Sequence, residues 1–203
     1  MRKLIVSNIV SLDGFFETSD KKLDWFAPDE EFFQYAREML RAADTLLFGR
    51  ATYQHMARYW PSAPKDEIAD KMNNLHKIVF SKTLERAVWS NSTLVKNNAA
   101  EEVSKLKQQS GKDMVILGSA TLASFLLQLD LIDEYRVILV PVLLGAGNPL
   151  FTGLEQRLRL KLQQTKLFAS GVVVLYYEKA RQVIFRAPVD LTPRRFSQTS
   201  DEE

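Results

Sequence analysis

The sequence predicts an α/β fold: a mostly parallel mixed β-sheet with antiparallel C-terminal strands and helices on both faces. Short apolar runs that suit strands alternate with helix-period stripes, as in sheets joined by crossover helices. Two late strand-like runs follow each other without a helix between them, which favours an antiparallel end. The first run, residues 3–11, is apolar or β-branched at nearly every position and predicts a central strand covered on both faces.

Further strands are predicted where a short apolar run is bounded by turn residues. They cover residues 45–48, 77–80, 93–95, 114–117, 135–140 and 172–177. Residues 158–162 alternate apolar and basic side chains, which predicts a strand with one solvated face. Pro141 follows the run 135–140 directly and indicates a bulge or a sheet edge at that point.

Helices are predicted from apolar periodicity and from their end signals. One begins at Pro28-Asp29-Glu30-Glu31, where proline suits the first turn and the acids suit the positive end of the helix dipole. Others cover residues 65–75 and 98–110, and in the second Asn98 and Glu101 have capping-box spacing. A buried stripe of the last helix is predicted at Leu122, Phe125, Leu126 and Leu129. The connection 15–27 is long, carries scattered aromatic side chains and is typical of a functional lid.

The composition limits the classes of function. The chain has 203 residues, and we expect one domain, residues 1–182, followed by a polar tail, residues 183–203. A net charge of +2 with interspersed signs argues against nucleic-acid binding. The lack of cysteine excludes disulfides and thiolate ligands, and His55 and His76 have no partners at metal-binding spacing, so no metal is expected. No apolar run approaches the roughly 20 residues of a membrane span, and we expect a cytoplasmic protein.

Three turns directly follow predicted parallel strands and are expected to meet at one sheet edge, where open α/β sheets bind ligands. They are Gly49-Arg50-Ala51-Thr52, Ser81-Lys82-Thr83 and Gly118-Ser119-Ala120-Thr121. Arg50 and Lys82 bring positive charge to that edge, and the turns also carry hydroxyl groups. The third turn opens a helix, whose free backbone N–H groups attract anions. The set predicts a cradle for dinucleotide phosphates, although neither a Gly-x-Gly-x-x-Gly nor a P-loop motif is present.

Several short motifs occur in a fixed order over about residues 1–180. They are Ser11-Leu12-Asp13-Gly14, Leu47-Phe48-Gly49-Arg50-x-Thr52-Tyr53, Lys77-x-Val79-Phe80-Ser81, Ile116-Leu117-Gly118-Ser119, Leu131-Ile132-Asp133-Glu134-Tyr135 and Pro141-x-Leu143-Leu144-Gly145-x-Gly147-x-Pro149-Leu150-Phe151. Together they resemble the dihydrofolate reductase-like family, in the branch that includes the reductase domain of riboflavin biosynthesis, the RibD C-terminal domain. The resemblance implies a dihydrofolate reductase-like fold and an NADPH-dependent reductase.

The resemblance also implies roles for individual residues. The cofactor phosphates would be held by Gly49, Arg50 and Thr52. The adenosine ribose would lie near Ser81 and Lys82, with Lys82 favouring a 2′-phosphate. The pyrophosphate would be wrapped by Gly118, Ser119, Ala120, Thr121 and Leu122, and the nicotinamide and a mobile loop would lie near Val10, Asp13 and Gly14.

The substrate side is predicted from fewer residues. In dihydrofolate reductases an acid early in the first helix binds the pterin ring, and the matching position here is Glu30, beside Asp29. A carboxylate there pairs with an amino-pyrimidine edge and assists protonation. The alternative is that these acids only complement the helix dipole. Asp13 is likewise expected either to meet the substrate or to cap the turn before Gly14.

The function expected from the resemblance is hydride transfer from NADPH to a C=N or C=O group of a small pterin-like or aminopyrimidine-like heterocycle. Such a reaction resembles those of 5-amino-6-(5-phosphoribosylamino)uracil reductase and dihydrofolate reductase. The alternative is a non-catalytic nucleotide-binding or regulatory module, because Ala120 stands where relatives often have glycine. Members of the riboflavin-type branch often dimerise, so a homodimer is expected, and the apolar stretch 137–144 is either core or interface.

Overall fold

The structure, a computed structural model, describes residues 1–180, and the predicted tail, residues 183–203, lies outside the described residues. The helices are α1 (Glu30–Ala42), α2 (Arg50–Tyr59), α3 (Glu67–Asn74), α4 (Ala99–Gln108) and α5 (Ala120–Gln128). A 3₁₀ turn at Trp60–Ser62 follows α2. The strands are β1 (Leu4–Ser11), β2 (Phe15–Glu17), β3 (Ala43–Gly49), β4 (His76–Phe80), β5 (Ser92–Val95), β6 (Asp113–Leu117), β7 (Glu134–Val140), β8 (Asn148–Pro149), β9 (Leu160–Leu167) and β10 (Val173–Lys179).

The main sheet has the strand order β5-β4-β3-β6-β1-β7-β10-β9. Neighbouring strands from β5 to β7 are parallel, whereas β10 is antiparallel to both β7 and β9. This arrangement confirms the predicted mostly parallel sheet with an antiparallel C-terminal end. The predicted central strand is also confirmed, because β1 lies between β6 and β7 and all its side chains except that of Ile9 are buried.

Helices cover both faces of the sheet, as predicted. One apolar cluster joins α1, α2 and α3 to the sheet and includes Tyr35, Tyr53 and Met72. A second cluster joins α4 and α5 to the other face and includes Val103 and Leu126. Full burial of each such side chain contributes roughly 1.5–3 kcal/mol, and the two layers fix the strand ends from which the site is built.

Two helix predictions are wrong. Residues 50–59 form α2, where the sequence predicted only a turn; the signal was weak because Tyr53 is the one fully buried residue of this helix. Phe125 in α5 and Leu129, the C-cap residue of that helix, were predicted to be buried but are 45% and 43% exposed. This helix is apolar almost all round, so its periodicity did not define the inner face. The residues that it buries are Leu122, Ala123, Ser124, Leu126 and Leu127.

Three further predictions need correction. Asn98 does not cap α4 with its side chain; its backbone is left-handed (φ 53°), and its Nδ2 instead lies 3.3 Å from Oε2 of Glu101. The chain reaches Pro141 only after β7 has ended at Val140, so this proline marks neither a bulge nor an edge strand. The strand predicted at 158–162 is β9, Leu160–Leu167, and side chains on both of its faces are exposed, including Leu162 and Leu167, so the prediction of a single solvated face is wrong.

A buried lysine, Lys77, links β4 to the end of α3. Its side chain is fully buried, and its Nζ donates hydrogen bonds to the carbonyl oxygens of Met72, Asn73 and Leu75 at 2.8, 2.9 and 2.7 Å. The C-terminal end of a helix favours such a cation, and Nζ also lies 4.4 Å from the ring centroid of Trp89. Burial lowers the pKa of Lys77 to about 8.

A separate two-stranded sheet covers the C-terminal end of β1. It pairs β2 with β8 in antiparallel orientation. Phe16 and Leu150 from this region form an apolar cluster with Val10 of β1. The long connection predicted from residue 15 to 27 therefore begins as a strand beside the sheet edge that carries the predicted site. Within residues 1–180, the helices are all too short or too polar to cross a membrane.

Candidate functional site

The turns that follow β3 and β6 are joined by two hydrogen bonds. The backbone N–H of Gly49 donates to Oγ of Ser119 at 3.0 Å, and Oγ1 of Thr52 donates to the carbonyl oxygen of Gly118 at 3.3 Å. Because β3 and β6 are neighbouring parallel strands, both turns leave the same edge of the sheet, where α2 and α5 begin. The positive ends of two helices are thereby held side by side, which suits the binding of anions.

The turn before α5 depends on Gly118 and Ser119. Gly118 has a left-handed backbone (φ +68°), which favours glycine, and an added Cβ would lie 3.2 Å from Cγ2 of Thr52. The side chain of Ser119 is buried, and besides accepting the Gly49 bond it donates to the carbonyl oxygen of Leu117 at 3.4 Å. The Ser119 hydroxyl therefore holds the turn together and leaves ligand contact to the backbone.

The first residues of α5 offer backbone rather than side-chain groups. The leading N–H groups of a helix have no partner within it. Ala120 packs against the cluster of Val10, Phe16 and Leu150, so its methyl group belongs to an apolar contact. The sharp bend that requires glycine falls at Gly118 and not at Ala120. Thr121 is exposed, whereas the side chain of Leu122 is buried in the core beneath the turn.

The third predicted turn, after β4, is tied to the start of α2. The exposed Arg50 donates from Nη1 to Oγ1 of Thr83 at 2.9 Å. Oγ of Ser81 accepts the backbone N–H groups of Thr83 and Leu84 at 3.2 and 3.0 Å, which closes the turn. Lys82 is exposed and has no hydrogen-bond partner in the described part of the chain. The structure thus brings all three predicted turns together, with two cationic side chains beside them.

Asp13 fastens two loops near the end of β1. Its carboxylate accepts a hydrogen bond from Oγ of Ser11 at 2.6 Å and from the backbone N–H groups of Leu144 and Gly145, the latter at 2.7 Å. The Ser11 bond, followed by the two backbone bonds, holds the pKa of Asp13 below its usual value. Gly14 completes this turn with φ +89°. At neutral pH Asp13 is therefore an ionised hydrogen-bond acceptor that joins the β1–β2 turn to the β7–β8 loop.

The acids at the start of α1 have partners on that helix. Glu30 is exposed and forms an ion pair with Arg37. Asp29 caps the helix, because its Oδ1 accepts the backbone N–H of Phe32 at 2.8 Å. Hydrogen bonds from Ser170 and then from Phe32 keep the pKa of Asp29 low. Within residues 1–180 neither carboxylate hydrogen-bonds to the three turns, so the structure shows the capping role of Asp29 and leaves the substrate role of Glu30 as a prediction.

Two residues of this region were not singled out by the sequence. Thr83 is the partner of Arg50. Asn8 in β1 is 2% exposed, and its Oδ1 accepts the backbone N–H of Gly118 at 2.6 Å. The available signal was the presence of one amide in a central strand whose other residues are apolar or serine. Two buried side-chain donors have no hydrogen-bond partner among residues 1–180, namely Nδ2 of Asn8 and Nε1 of Trp25.

Comparison with known proteins identifies the family. The model of the RibD C-terminal domain matches residues 2–174. The chain belongs to the RibD C-terminal domain family. The uncharacterized protein YyaP of Bacillus subtilis (strain 168) is 35% identical over 184 residues, which cover 87% of this chain and 94% of YyaP. The family resemblance expected from the ordered motifs is therefore confirmed.

Solved structures show the same fold at low sequence identity. Dihydrofolate reductase from Enterococcus faecalis, complexed with NADP(H) and RAB-propyl, superposes with a TM-score of 0.61 at 16% identity, over 88% of this chain and 97% of that one. The diaminohydroxyphosphoribosylaminopyrimidine deaminase/5-amino-6-(5-phosphoribosylamino)uracil reductase of Thermotoga maritima gives a TM-score of 0.64 at 14% identity, over 88% of this chain. This chain spans 57% of the Thermotoga protein. The dihydrofolate reductase-like fold is confirmed.

The residues at the joined turns fit a dinucleotide. A pyrophosphate needs hydrogen-bond donors and positive potential, which the N-termini of α2 and α5 and the exposed Arg50 provide. Gly49 leaves space between the two turns. An added Cβ there would lie between them, 3.9 Å from Cβ of Leu122 and 4.0 Å from Ser119. The absence of a side chain at this point leaves the backbone open to close approach by a phosphate.

Proposed function

We propose that the protein is an NADPH-dependent reductase that transfers a hydride to a small pterin-like or aminopyrimidine-like heterocycle. The observation that carries the proposal is the pair of hydrogen bonds that joins the turns after β3 and β6. They set two helix N-termini and Arg50 at one sheet edge, which is where open α/β sheets bind nucleotides. Two relatives in fold are named as reductases, one of them complexed with NADP(H), and this supports a nicotinamide cofactor.

In this proposal the protein contributes position and charge. Gly49, Arg50 and Thr52 hold the phosphates. Residues 118–122 wrap the pyrophosphate with those backbone N–H groups that are not already bonded in the protein, as those of Gly118 and Ala120 are. Ser81 shapes the turn near the adenosine ribose. Lys82 has no protein partner within residues 1–180, so its ammonium group is free to bind the 2′-phosphate that distinguishes NADPH from NADH.

The reaction adds a hydride to carbon and a proton to nitrogen or oxygen of the substrate's C=N or C=O group. When bound, the nicotinamide supplies the hydride. Val10, near the end of β1, and Gly14, in the turn that follows, would border the nicotinamide, and Asp13 holds the adjoining loop through Leu144 and Gly145. Because its pKa is lowered, Asp13 is not a proton donor at neutral pH. We propose that Glu30 meets the amino edge of the substrate ring.

The first experiment measures NADPH affinity by titration calorimetry for Arg50→Ala and for Arg58→Ala. Both arginines are exposed on α2, but Arg58 lies in its last turn, away from the joined turns. We expect Arg50→Ala to weaken NADPH binding about tenfold, as loss of a charge-assisted phosphate contact does, and Arg58→Ala to have no effect. Equal affinities for both variants would remove Arg50 from the site.

A second experiment tests the choice of cofactor. Lys82→Ala should weaken NADPH binding and leave NADH binding unchanged, because only NADPH carries the 2′-phosphate. NADH is thus the internal control. A parallel loss for both dinucleotides would show that Lys82 acts on the fold or on a shared phosphate, and would contradict its role in selectivity.

Turnover distinguishes the reductase from a non-catalytic nucleotide-binding module. With a pterin or an aminopyrimidine present, the reductase consumes NADPH, and Glu30→Gln slows that consumption while Glu31→Gln does not. A protein that binds NADPH but oxidises none of it with these heterocycles would be a binding or regulatory module on the same fold. We further propose that the enzyme acts in the cytoplasm and that it is a homodimer. Sedimentation at low protein concentration would test the homodimer.

A further inference from the structure

Asn8 carries a buried hydrogen-bond donor that nothing in the described protein uses. Its side chain is 2% exposed, and its Oδ1 accepts the Gly118 N–H at 2.6 Å. That bond fixes the orientation of the amide, because only the oxygen can accept. Its Nδ2 is buried and has no partner within residues 1–180. A buried N–H without a partner is unfavourable, and native proteins rarely retain one without a functional reason.

The surroundings of this amide are apolar and lie at the sheet edge. Side chains alternate between the faces of β1, so Asn8 shares its face with Val6 and Val10. In register, Asn8 lies opposite Val137 of β7. Val137 and Ala120 both pack against the cluster formed by Val10, Phe16 and Leu150. The donor therefore lies among side chains that pack well against a flat ring and that offer it no acceptor.

The same amide is attached to the turn that opens α5. Its oxygen holds Gly118, and the two amide atoms share one carbon, so Nδ2 lies next to that turn. The N-terminus of α5 attracts a phosphate. Nδ2 can only donate, and the apolar cluster beside it favours a neutral acceptor such as a carbonyl oxygen over a charged one. Together, the two features define a ligand class that combines a phosphate with a heteroaromatic ring bearing a carbonyl group.

We propose that Asn8 binds the reacting ring: its Nδ2 donates a hydrogen bond to a ring-borne carbonyl oxygen while its Oδ1 holds the phosphate turn through Gly118. The assignment rests on the reductase function proposed above. The carbonyl belongs either to the carboxamide of the nicotinamide or to the substrate ring, since both rings must meet at the end of β1 for hydride transfer. Asn8 thereby couples ring binding to the geometry of the pyrophosphate site.

The test compares two ligands that share their phosphates. NADP⁺ carries the nicotinamide, whereas 2′-phospho-ADP-ribose lacks it, so the ratio of their dissociation constants isolates the ring. We expect Asn8→Leu to raise the ratio of the NADP⁺ dissociation constant to that of 2′-phospho-ADP-ribose about tenfold, the effect of one lost hydrogen bond. A merely structural role at Gly118 would weaken both ligands equally and leave the ratio unchanged. If Asn8→Leu folds poorly, Asn8→Asp measured at pH 8 replaces it in this test. The aspartate keeps the acceptor for the Gly118 N–H and removes the donor.

Asn73→Ala is the matched control, because the Asn73 amide is fully paired with Trp89 and Trp60 inside the protein. It should leave the ratio unchanged. The second source of the carbonyl is tested with 5,6-diaminouracil bound to the NADP⁺-saturated protein. If the Asn8 variants bind 5,6-diaminouracil tenfold more weakly while the ratio of the NADP⁺ and 2′-phospho-ADP-ribose dissociation constants is unchanged, the acceptor lies on the substrate.

The outcomes separate the two proposals. If the wild-type protein binds neither NADP⁺ nor 2′-phospho-ADP-ribose, the reductase function fails and the assignment of Asn8 fails with it. If the wild type binds both, and the Asn8 variants change neither the ratio nor the diaminouracil binding, the reductase function stands. In that case Asn8 is only a structural residue of the turn, with a buried water as the partner of Nδ2.

Discussion

The Ser119 hydroxyl makes one of the two hydrogen bonds that join the turns of the candidate site, and Ser119→Ala removes that bond without changing any charge. The side chain is 5% exposed, accepts the Gly49 N–H at 3.0 Å and donates to the Leu117 carbonyl at 3.4 Å. Although Ser119 stands at the N-cap position of α5, its side chain makes no capping bond there. The substitution therefore removes one of the two links between the turns, leaves the Thr52–Gly118 bond in place and costs no helix cap.

The stability cost follows from the groups left unpaired. Alanine leaves the half-buried N–H of Gly49 without its acceptor, and losing such a bond costs about 1–2 kcal/mol. For a domain of this size each kcal/mol shifts Tm by about 2–4 °C. We thus expect Tm to fall by about 2–8 °C. The larger consequence is for binding, because two helix N-termini that are held by one hydrogen bond instead of two must be ordered in part by the ligand itself.

The assay combines thermal unfolding with calorimetric titration of NADPH. Ser104→Ala is the matched control: Ser104 lies on α4, is half-buried, and its Oγ donates to the Ala100 carbonyl at 2.8 Å, a bond within one helix. We expect this control to change Tm and affinity little. Ser119→Ala should weaken NADPH binding about tenfold. A variant with a lower Tm but wild-type affinity would refute the view that the joined turns form the binding surface.

Three further predictions concern single residues. Gly49→Ala should leave Tm nearly unchanged, because φ is −78° and an added Cβ meets nothing closer than 3.9 Å, yet it should weaken NADPH binding in calorimetry by filling the space between the turns; unchanged affinity would place the phosphate elsewhere. In the unfolded chain Lys77 keeps its proton up to the ordinary lysine pKa of 10.5, whereas burial lowers the pKa of Lys77 in the folded chain to about 8. As the pH rises from 8 to 10.5, the free energy of unfolding of the wild type should therefore rise by about 3 kcal/mol relative to that of Lys77→Met, as measured by urea unfolding at each pH; parallel curves would contradict a buried ammonium group. Asp13→Ala should speed hydrogen exchange of the Leu144 and Gly145 amides, which lose their acceptor, whereas Asp20→Ala should not. In the wild type, the same two amides should lose their protection when the pH falls through the lowered pKa of Asp13, because the protonated carboxyl is a weaker acceptor.

The sheet was predictable because its strands carry strong and local signals. The apolar run of β1 predicts a central strand. The lack of a helix between the last strands predicts the antiparallel end of the sheet. The predictions failed where local pattern and tertiary packing diverge. Phe125 and Leu129 lie on an almost wholly apolar helix, so only packing against the sheet decides which side is buried. Residues 50–59 bury little of their surface, and their helical period was correspondingly weak.

The candidate site was predictable at the level of strand ends but not of contacts. Parallel strands place their following turns at one edge, so Arg50, Lys82 and Gly118 were expected together. The roles of hydroxyl groups were not readable, because Ser119 and Ser81 hold their own turns rather than extend toward a ligand. Asn8 was overlooked because its partner, Gly118, is 110 residues away in sequence, and only the alignment of β1 with β6 brings them together.

The central claim is that the joined turns bind NADPH, and a thermal shift with NADPH and NADH tests it most directly. At a hundredfold excess over its dissociation constant, a ligand that binds only the folded state stabilises it by about 2.7 kcal/mol. We predict that NADPH at this excess raises Tm by about 5–10 °C and that NADH at the same concentration raises it less. The absence of a shift with either dinucleotide, at concentrations up to the millimolar range, would contradict the claim.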